Sequence, residues 1–245
     1  MERSFCLILL SMLIALGPMQ ADTKSSIYNA YINRDMVAWK AVMTSLEKVQ
    51  PKTLPQLLEL VNYQYGYIGW CLGMNNKNEA KQYIDKGEAN LALLEKHAYQ
   101  PSLVNAYKAA FIGFRLDLAP VKAPVLGPKS LELMELAIKQ DKNNPFGYLQ
   151  FGNGLYYRPK VLGGSKEKAM AYYHKAERLM EAGETSNDWN YINLLALIGM
   201  AYQDLGQSDK AEAYYQKALR VEPRFSWVKE ELYPMWKQHI PSSNQ

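Results

Sequence analysis

The sequence is poor in the residues that disulfide frameworks, metal sites and strongly basic surfaces require. Its 245 residues include two cysteines and three histidines, and 28 Lys+Arg against 24 Asp+Glu leave a net charge of +4. No Lys/Arg-rich run of five or more occurs. A charge this small and this evenly spread excludes a nucleic-acid-binding protein that depends on a basic surface. A hydrophobic fraction of 48% and a mean hydropathy of −0.31 exclude a polytopic membrane protein and a disordered chain.

Recognisable catalytic and metal-binding motifs are also lacking. His97, His174 and His239 lie far apart, form no His-Glu-x-x-His motif and have no Cys-x-x-Cys pair beside them. The segment 127–130, Gly-Pro-Lys-Ser, lacks the upstream glycine of a phosphate-binding loop. We therefore expect three surface histidines, no metal, no cofactor and no enzymatic activity.

The first 21 residues have the layout of a secretory signal peptide. Arg3 precedes an apolar run of 12 residues, Phe5–Leu16, and Ala21 is a small residue at the expected cleavage site. The run is shorter than the ~18 to 20 residues that cross a bilayer as a helix. We expect cleavage after residue 21 and export to the periplasm or the cell exterior, with an uncleaved membrane anchor as the alternative.

Cleavage leaves residues 22–245 as a single domain with one cysteine, Cys71. That residue lies in the apolar stretch Ile68–Leu72, with no histidine or cation next to it. An inert buried thiol is therefore expected, because a reactive thiolate needs a cationic partner. Without a disulfide, the domain depends on burial of apolar surface alone, for which its length is sufficient.

Apolar residues recur at helical spacing along the whole mature chain. Leu103, Tyr107, Ala110, Phe114 and Leu118 follow each other at intervals of three and four, which places them on one helix face. No alternating segment with an Asn-Gly or Asp-Gly turn indicates a β-hairpin. Prolines fall between the periodic segments, as expected for paired helices. The pattern predicts an all-α protein.

The C-terminal third contains an internal repeat. Leu195-x2-Ile198-Gly199-x2-Tyr202 is followed by Gly206, then by Ala211-x3-Tyr215-x2-Ala218 and Pro223. This resembles the tetratricopeptide repeat (TPR), whose pattern is Trp-x2-Leu-Gly-x2-Tyr, Ala-x3-Phe and Pro. The chain departs from it in having Leu195 in place of tryptophan. Small residues at Gly199 and Ala211 are expected where the two helices of a pair cross closely.

Further copies precede this repeat. Phe151-Gly152 and Ala169-x3-Tyr173 repeat the same motifs with five extra residues between the helices, and weaker copies cover 103–144 and 57–95. The resemblance implies a TPR-like α-solenoid of about four helix pairs with N- and C-terminal flanking helices, clearest over 145–183 and 192–225. The helix after Pro223 is expected to cap the last repeat, and membrane-surface binding through Trp227 and Trp236 is the alternative.

The resemblance also implies a binding groove. In TPR proteins the first helix of each pair lines a concave surface at repeat positions 2, 5, 9, 12 and 13. Here that groove would be aromatic and rich in amides, which suits an extended peptide or a small apolar ligand. The competing interpretation is that its tyrosines only pack the neighbouring helix pair. The groove residues implied are Phe146, Leu149, Asn153, Tyr156, Tyr157, Asn193, Met200 and Gln203.

Two long connections, Ala119–Pro128 and Tyr156–Gly164, join the first helix of a pair to its second. Insertions in a solenoid fall on one face, so these connections are expected side by side along one edge. Neither contains an acidic residue. The edge is predicted to receive an acidic partner surface or an anionic ligand, unless its cations serve only solubility. Its basic residues are Lys122, Lys129, Arg158, Lys160 and Lys166.

Two functional classes remain open. The first is a non-enzymatic exported TPR protein that binds a protein or peptide, within an envelope complex or outside the cell. The second is a periplasmic small-molecule binding protein that partners an envelope transporter. The Pro159-x-x-Leu162-Gly163-Gly164 segment is similar to loops of exported bacterial TPR proteins associated with TRAP-type transporters, which are lipoproteins, whereas this chain has no lipidated cysteine. The oligomeric state is not indicated by the sequence.

Overall fold

The structure is a computed structural model that describes residues 22–238. The predicted signal peptide and His239 therefore lie outside the described residues. Every regular element in the described range is helical. The α-helices are α1 over 22–32, α2 Met36–Lys48, α3 Leu54–Gly73, α4 Lys77–Lys96, α5 Pro101–Leu118, α6 Ala123–Gln140, α7 Pro145–Tyr157, α8 Lys166–Glu181, α9 Trp189–Asp204, α10 Ser208–Val221 and α11 Tyr233–Gln238. Two 3₁₀ turns, Pro120–Lys122 and Lys160–Leu162, and a π-helix, Trp227–Leu232, complete the fold.

The helices form a stack of four pairs. α3 packs on α4, α5 on α6, α7 on α8, and α9 on α10, and each pair also contacts the next one. The α1–α2 segment precedes the stack, and the π-helix with α11 follows it. The predicted all-α solenoid of about four pairs with flanking helices is confirmed. None of the helices within 22–238 combines the length and the apolar character needed to cross a membrane.

Local sequence signals set the helix ends. Thr53 and Gln56 form a reciprocal capping box at the start of α3, and the Asn144 side chain accepts a hydrogen bond from the Phe146 amide at the start of α7. After α9, Gly206 takes a left-handed φ of +69°, a conformation that glycine adopts without steric cost.

A glycine facing a tyrosine ring closes each of the last two pairs. A Cβ on Gly199 of α9 would lie 2.6 Å from the Tyr215 ring of α10, and a Cβ on Gly152 of α7 would lie 2.5 Å from the Tyr173 ring of α8. Both rings are fully buried. The ring of the second helix thus occupies the space that a side chain on the first helix would need.

The first long connection is largely helical, which corrects the predicted loop. Pro120–Lys122 forms a 3₁₀ turn, α6 begins at Ala123, and Pro128 lies inside that helix. The proline-rich sequence permits this because Pro124 falls in the first helical turn, where an amide N–H has no intrahelical acceptor. The second connection is also shorter than predicted, since α7 continues to Tyr157.

The C-terminal segment covers the end of the stack. Phe225 and Val228 are completely buried, and Trp236 is almost so. Trp227 is half-buried and packs against the core. Burial of these side chains supports the predicted capping role over a membrane-binding tryptophan pair.

Replacing Gly199 by leucine should destabilise the fold strongly, because the side chain would overlap the Tyr215 ring. Overpacking of this kind costs about 1 to 3 kcal/mol or more. Urea unfolding followed by circular dichroism measures the loss.

Gly113→Leu provides the matched control, because Gly113 lies in α5 with open space around its Cα. That variant should be neutral or slightly stabilised, since leucine favours a helix by up to about 1 kcal/mol over glycine. Equal unfolding midpoints for the two variants would contradict the assigned glycine–tyrosine contact.

Candidate functional site

The inner helices of the stack converge on Trp189, the first residue of α9. Its ring centroid lies 5.1 Å from that of Trp39 in α2, 5.5 Å from Tyr31 in α1 and 6.0 Å from Tyr65 in α3. Trp189 itself is buried. These contacts join the first helices of the chain to its last repeat. The α1–α2 segment therefore packs against the inner face, and at this point that face is core.

Two of the predicted groove residues belong to this core. Phe146 is buried with its ring centroid 4.2 Å from that of Tyr107 and 5.3 Å from that of Tyr65, and Leu149 is completely buried. The prediction that they present their side chains to a ligand is wrong. Helical spacing placed them correctly on the inner side of α7, but that side meets α3 and α5 instead of solvent.

The two predicted asparagines connect helices across the inner face. Tyr31 donates a hydrogen bond to Asn193 Oδ1 at 2.7 Å, although 162 positions separate them in sequence. Tyr173 donates to Asn153 Oδ1 at 2.9 Å, and Asn153 Nδ2 donates to the Tyr65 hydroxyl at 3.3 Å. Both amides are therefore engaged by tyrosine hydroxyls of other helices.

Burial keeps these hydroxyls neutral. It raises the pKa of Tyr65 to about 12, although hydrogen bonds from Gln150 and Asn153 lower it. Burial likewise raises the pKa of Tyr31 and Tyr173. These hydroxyls and the amides they contact form a neutral, hydrogen-bonded part of the inner face.

The C-terminal end of α7 is the accessible part of this face. Tyr157 is 64% exposed, and its ring stands edge-on to Tyr156 with the centroids 4.7 Å apart. Tyr156 donates to Asp204 Oδ2 at 2.5 Å, and Lys166 Nζ lies 2.6 Å from the same oxygen. Burial, followed by the hydrogen bond to Asp204, raises the pKa of Tyr156. We call Tyr156, Tyr157, Lys166 and Asp204 the tyrosine end.

The two remaining predicted groove residues lie on α9. Met200 and Gln203 are half-buried, and Gln203 Oε1 accepts a hydrogen bond from the Tyr215 hydroxyl at 2.8 Å. Met200 packs against the core. Neither side chain is fully free for a ligand, but both keep part of their surface in solvent.

A second concave region lies under the connection between α7 and α8. It is open to solvent and has a volume of about 590 Å³. Its most regular feature is the stacked pair Phe151 and Tyr172, with centroids 4.2 Å apart and planes inclined by 3°. The lining is Leu131, Glu135, Phe151, Leu155, Arg158, Leu162, Gly163, Lys168, Ala171 and Tyr172.

Glycines give this connection its shape. Gly163 has a left-handed φ of +87°, and a Cβ on Gly164 would overlap the carbonyl oxygen of Arg158. The Ser165 amide donates to the Leu155 carbonyl at 2.9 Å, which returns the chain to the end of α7. The Leu-Gly-Gly segment is thus a compact wall of the concave region.

The five residues of the predicted basic edge have different surroundings in the structure. Lys122, Lys129 and Lys160 are exposed, and Arg158 lines the concave region. Lys166 instead pairs with Asp204 at the tyrosine end, so its charge is already engaged within the protein. It begins α8, where the chain has already turned back to the helix stack.

His174 is not the surface histidine that the sequence predicted. Its Nε2 lies 2.7 Å from the Tyr202 hydroxyl, and its Nδ1 lies 3.0 Å from Glu177 Oε2. Tyr214 and Lys217 also bond to the buried Glu177 carboxylate, at 2.9 and 2.7 Å. This network joins α8, α9 and α10. The His-x2-Glu spacing, which places both side chains on one helix face, was the available signal.

Within residues 22–238, the side chains that most often bind metals are dispersed and the cysteine thiol is buried. No cluster of His, Cys, Asp and Glu within residues 22–238 has the arrangement of a metal site. Cys71 is buried, and burial raises the pKa of its thiol to about 12. A neutral thiol is a weak nucleophile, as expected from its apolar neighbours.

The Glu177 carboxylate gives a pH-dependent test. Burial raises its pKa, but hydrogen bonds from His174, Lys217 and Tyr214 outweigh burial and lower it to about 2. A carboxyl group whose pKa is lowered by folding stabilises the folded state above its unfolded pKa of about 4.5. This stabilisation is lost as the pH falls towards 2. Glu177→Gln should lower the unfolding free energy at pH 7 by about 2 to 3 kcal/mol and weaken its pH dependence between pH 5 and 2.

Glu181→Gln is the control for this measurement, which uses urea unfolding across the pH range. Glu181 also pairs with Lys217, at 2.6 Å, but is partly exposed. An exposed ion pair contributes at most about 1 kcal/mol, and the amide oxygen of glutamine can still accept the hydrogen bond from Tyr191, so this variant should stay close to the parent. A Glu177→Gln variant with the parental pH profile would exclude the proposed role of the network.

Comparison with known proteins agrees with the fold. The tetratricopeptide repeat family matches residues 192–225. Among solved structures, the HusA haemophore from Porphyromonas gingivalis is similar, with a TM-score of 0.57 and 18% sequence identity over 72% of this chain and 94% of that one. At this identity the similarity concerns the fold alone. No curated protein matched the sequence. Residues 192–225 thus form a tetratricopeptide repeat, and helix pairs are stacked before it in the chain.

Proposed function

We propose that this protein is exported and binds a protein or peptide partner at its tyrosine end, without catalysing a reaction. TPR modules bind other proteins, which supports the general class. The observation that carries the assignment to this site is the exposed Tyr157 ring beside the Lys166–Asp204 pair. Tyrosine supplies a large contact area at a small entropy cost, and aromatic residues are enriched at interfaces.

The packed centre of the inner face limits what can bind. Tyr31, Trp39 and Trp189 already fill that region with aromatic contacts. A long peptide lying along the whole groove would have to displace them. The site therefore suits a short segment or a loop tip of the partner, which contacts Tyr157 and the exposed parts of Met200 and Gln203.

Export is supported by the N-terminal sequence, in which Arg3 and an apolar run of 12 residues precede Ala21. Expression of the full chain in a Gram-negative host should yield a periplasmic or secreted protein whose first residue is Asp22. N-terminal sequencing checks this. Recovery of a membrane-bound protein that keeps residues 1–21 would instead establish the anchor.

Tyr157→Ala tests the binding site. Loss of a central aromatic contact typically costs about 2 kcal/mol or more, so capture of cross-linked partners or selected library peptides should weaken by about thirtyfold. Titration calorimetry with one purified partner or peptide measures the change.

Met74→Ala is the control, because Met74 is 62% exposed and lies just beyond the end of α3, outside the tyrosine end. It should bind like the parent protein. Equal affinity of Tyr157→Ala and the parent would remove the tyrosine end from the interface.

A small-molecule binding protein that serves an envelope transporter is the second candidate. It is favoured by the 590 Å³ region with its stacked Phe151–Tyr172 pair. Since the similar HusA protein is a haemophore, haemin is the first ligand to titrate. Saturable spectral changes that are lost in Leu162→Asp and kept in Leu93→Asp, an exposed leucine of α4 that does not line the region, would support this candidate. Non-saturable or equal changes would oppose it.

A further inference from the structure

Four exposed aliphatic side chains lie on two short turns of the chain. Val121 and Val125 are 85% and 75% exposed, and Val161 and Leu162 are 92% and 54% exposed. Single exposed apolar residues are normal on a protein surface. Here they come in pairs at the tips of the two 3₁₀ turns, Pro120–Lys122 and Lys160–Leu162, and at the first turn of α6. We call these two segments, 120–125 and 158–162, the turn edge.

Both segments lie at the same end of the helix stack. Each connects the first helix of a pair to the second, in consecutive pairs. Arg158 and Leu162 of the second segment line a common concave region with Leu131 of α6, the helix that begins at Ala123. Leu131 is eight residues along this helix, or about 12 Å at 1.5 Å per residue. The second turn therefore lies beside the helix that the first turn starts.

The charges of the turn edge have one sign. Lys122, Arg158 and Lys160 are contained in it, and Lys129 follows one turn later on α6. None of the four takes part in the ion pairs found among residues 22–238. Neither segment 118–131 nor segment 156–166 contains an acidic residue. Lys160 has the Glu167 carboxylate of α8 nearby, and without an ion pair all four cations can still approach an external anion.

We propose that the turn edge docks on an anionic lipid surface. The valines and Leu162 would enter the interfacial layer, and the Lys122, Lys160 and Arg158 side chains would face lipid phosphates. Apolar side chains beside unpaired cations are the combination that binds such a surface. The apolar side chains leave water for the interfacial layer, and the cations are attracted to the anionic lipids.

The shape of the edge favours lipid over an acidic protein. Val121 and Val161 lie at turn tips and are almost fully exposed, so they project outward from the surface. A protein partner would need two matching pockets to bury them. A fluid interfacial layer adapts to them without such pockets, while an acidic protein surface would pair with the lysines and leave the valines unburied.

Vesicle co-sedimentation tests the proposal with the processed chain, residues 22–245, which contains every described helix. The probes are vesicles of phosphatidylcholine alone and vesicles with about one third phosphatidylglycerol, whose surface is anionic. We expect binding to the second kind only, with an affinity that decreases as the salt concentration increases.

Two sets of variants separate the apolar and the charged contributions. Val121→Ser with Val161→Ser should weaken binding by at least about tenfold. Lys122→Gln with Lys160→Gln should also weaken binding by at least about tenfold, because each lysine near an anionic surface contributes about fivefold. All four positions are exposed, so helicity should be unchanged by circular dichroism.

The controls replace equivalent residues elsewhere. Val37→Ser changes an exposed valine of α2, and Lys139→Gln with Lys142→Gln changes one exposed lysine in the last turn of α6 and one just beyond that helix. Both controls should bind like the parent chain. Absence of binding to anionic vesicles, or equal binding by all variants, overturns the proposal. Binding of the edge lysines to polyglutamate but not to vesicles also overturns it and establishes an acidic protein partner instead.

Discussion

The contact between a glycine of one helix and a tyrosine ring of the next is the constraint on which the repeat architecture depends. At Gly199 and Gly152 the absent side chain lets the rings of Tyr215 and Tyr173 lie directly against the helix backbone. The two helices of the pair approach each other closely there. Close packing of this kind tolerates little change in volume, which explains why the glycine, the alanine and the ring recur together along the sequence.

Tight closure of the pairs also determines where binding surfaces remain. The inner helices approach one another until Trp189 contacts residues of α1, α2 and α3. Two tyrosine hydroxyls donate hydrogen bonds to amides in the same region, in the pairs Tyr31–Asn193 and Tyr173–Asn153. A buried polar group requires such a partner, so these amides stabilise the stack. Recognition is therefore left to the tyrosine end, the concave region under the α7–α8 connection, and the turn edge.

A hydrogen-bonded network around a buried carboxylate joins α8, α9 and α10. Glu177 is buried, and it is stabilised because His174, Tyr214 and Lys217 all contact its carboxylate. A buried carboxylate without such partners would be costly. The network connects the last two helix pairs, so it contributes to their relative orientation as well as to stability.

The sequence by itself determined the all-helical class, the pairing of helices and the positions of closest approach. Spacings of three and four, the glycines and the prolines are local signals, and they act over one or two helical turns. Only the tertiary structure decided which helix face meets which neighbour. Helical spacing put Phe146 and Leu149 on the inner face of α7, but it could not show that α3 and α5 pack against that face, because contacts between residues far apart in the chain leave no periodic trace. For the same reason Lys166 lies with Asp204, 38 positions away, and His174 lies with Tyr202 of the next repeat.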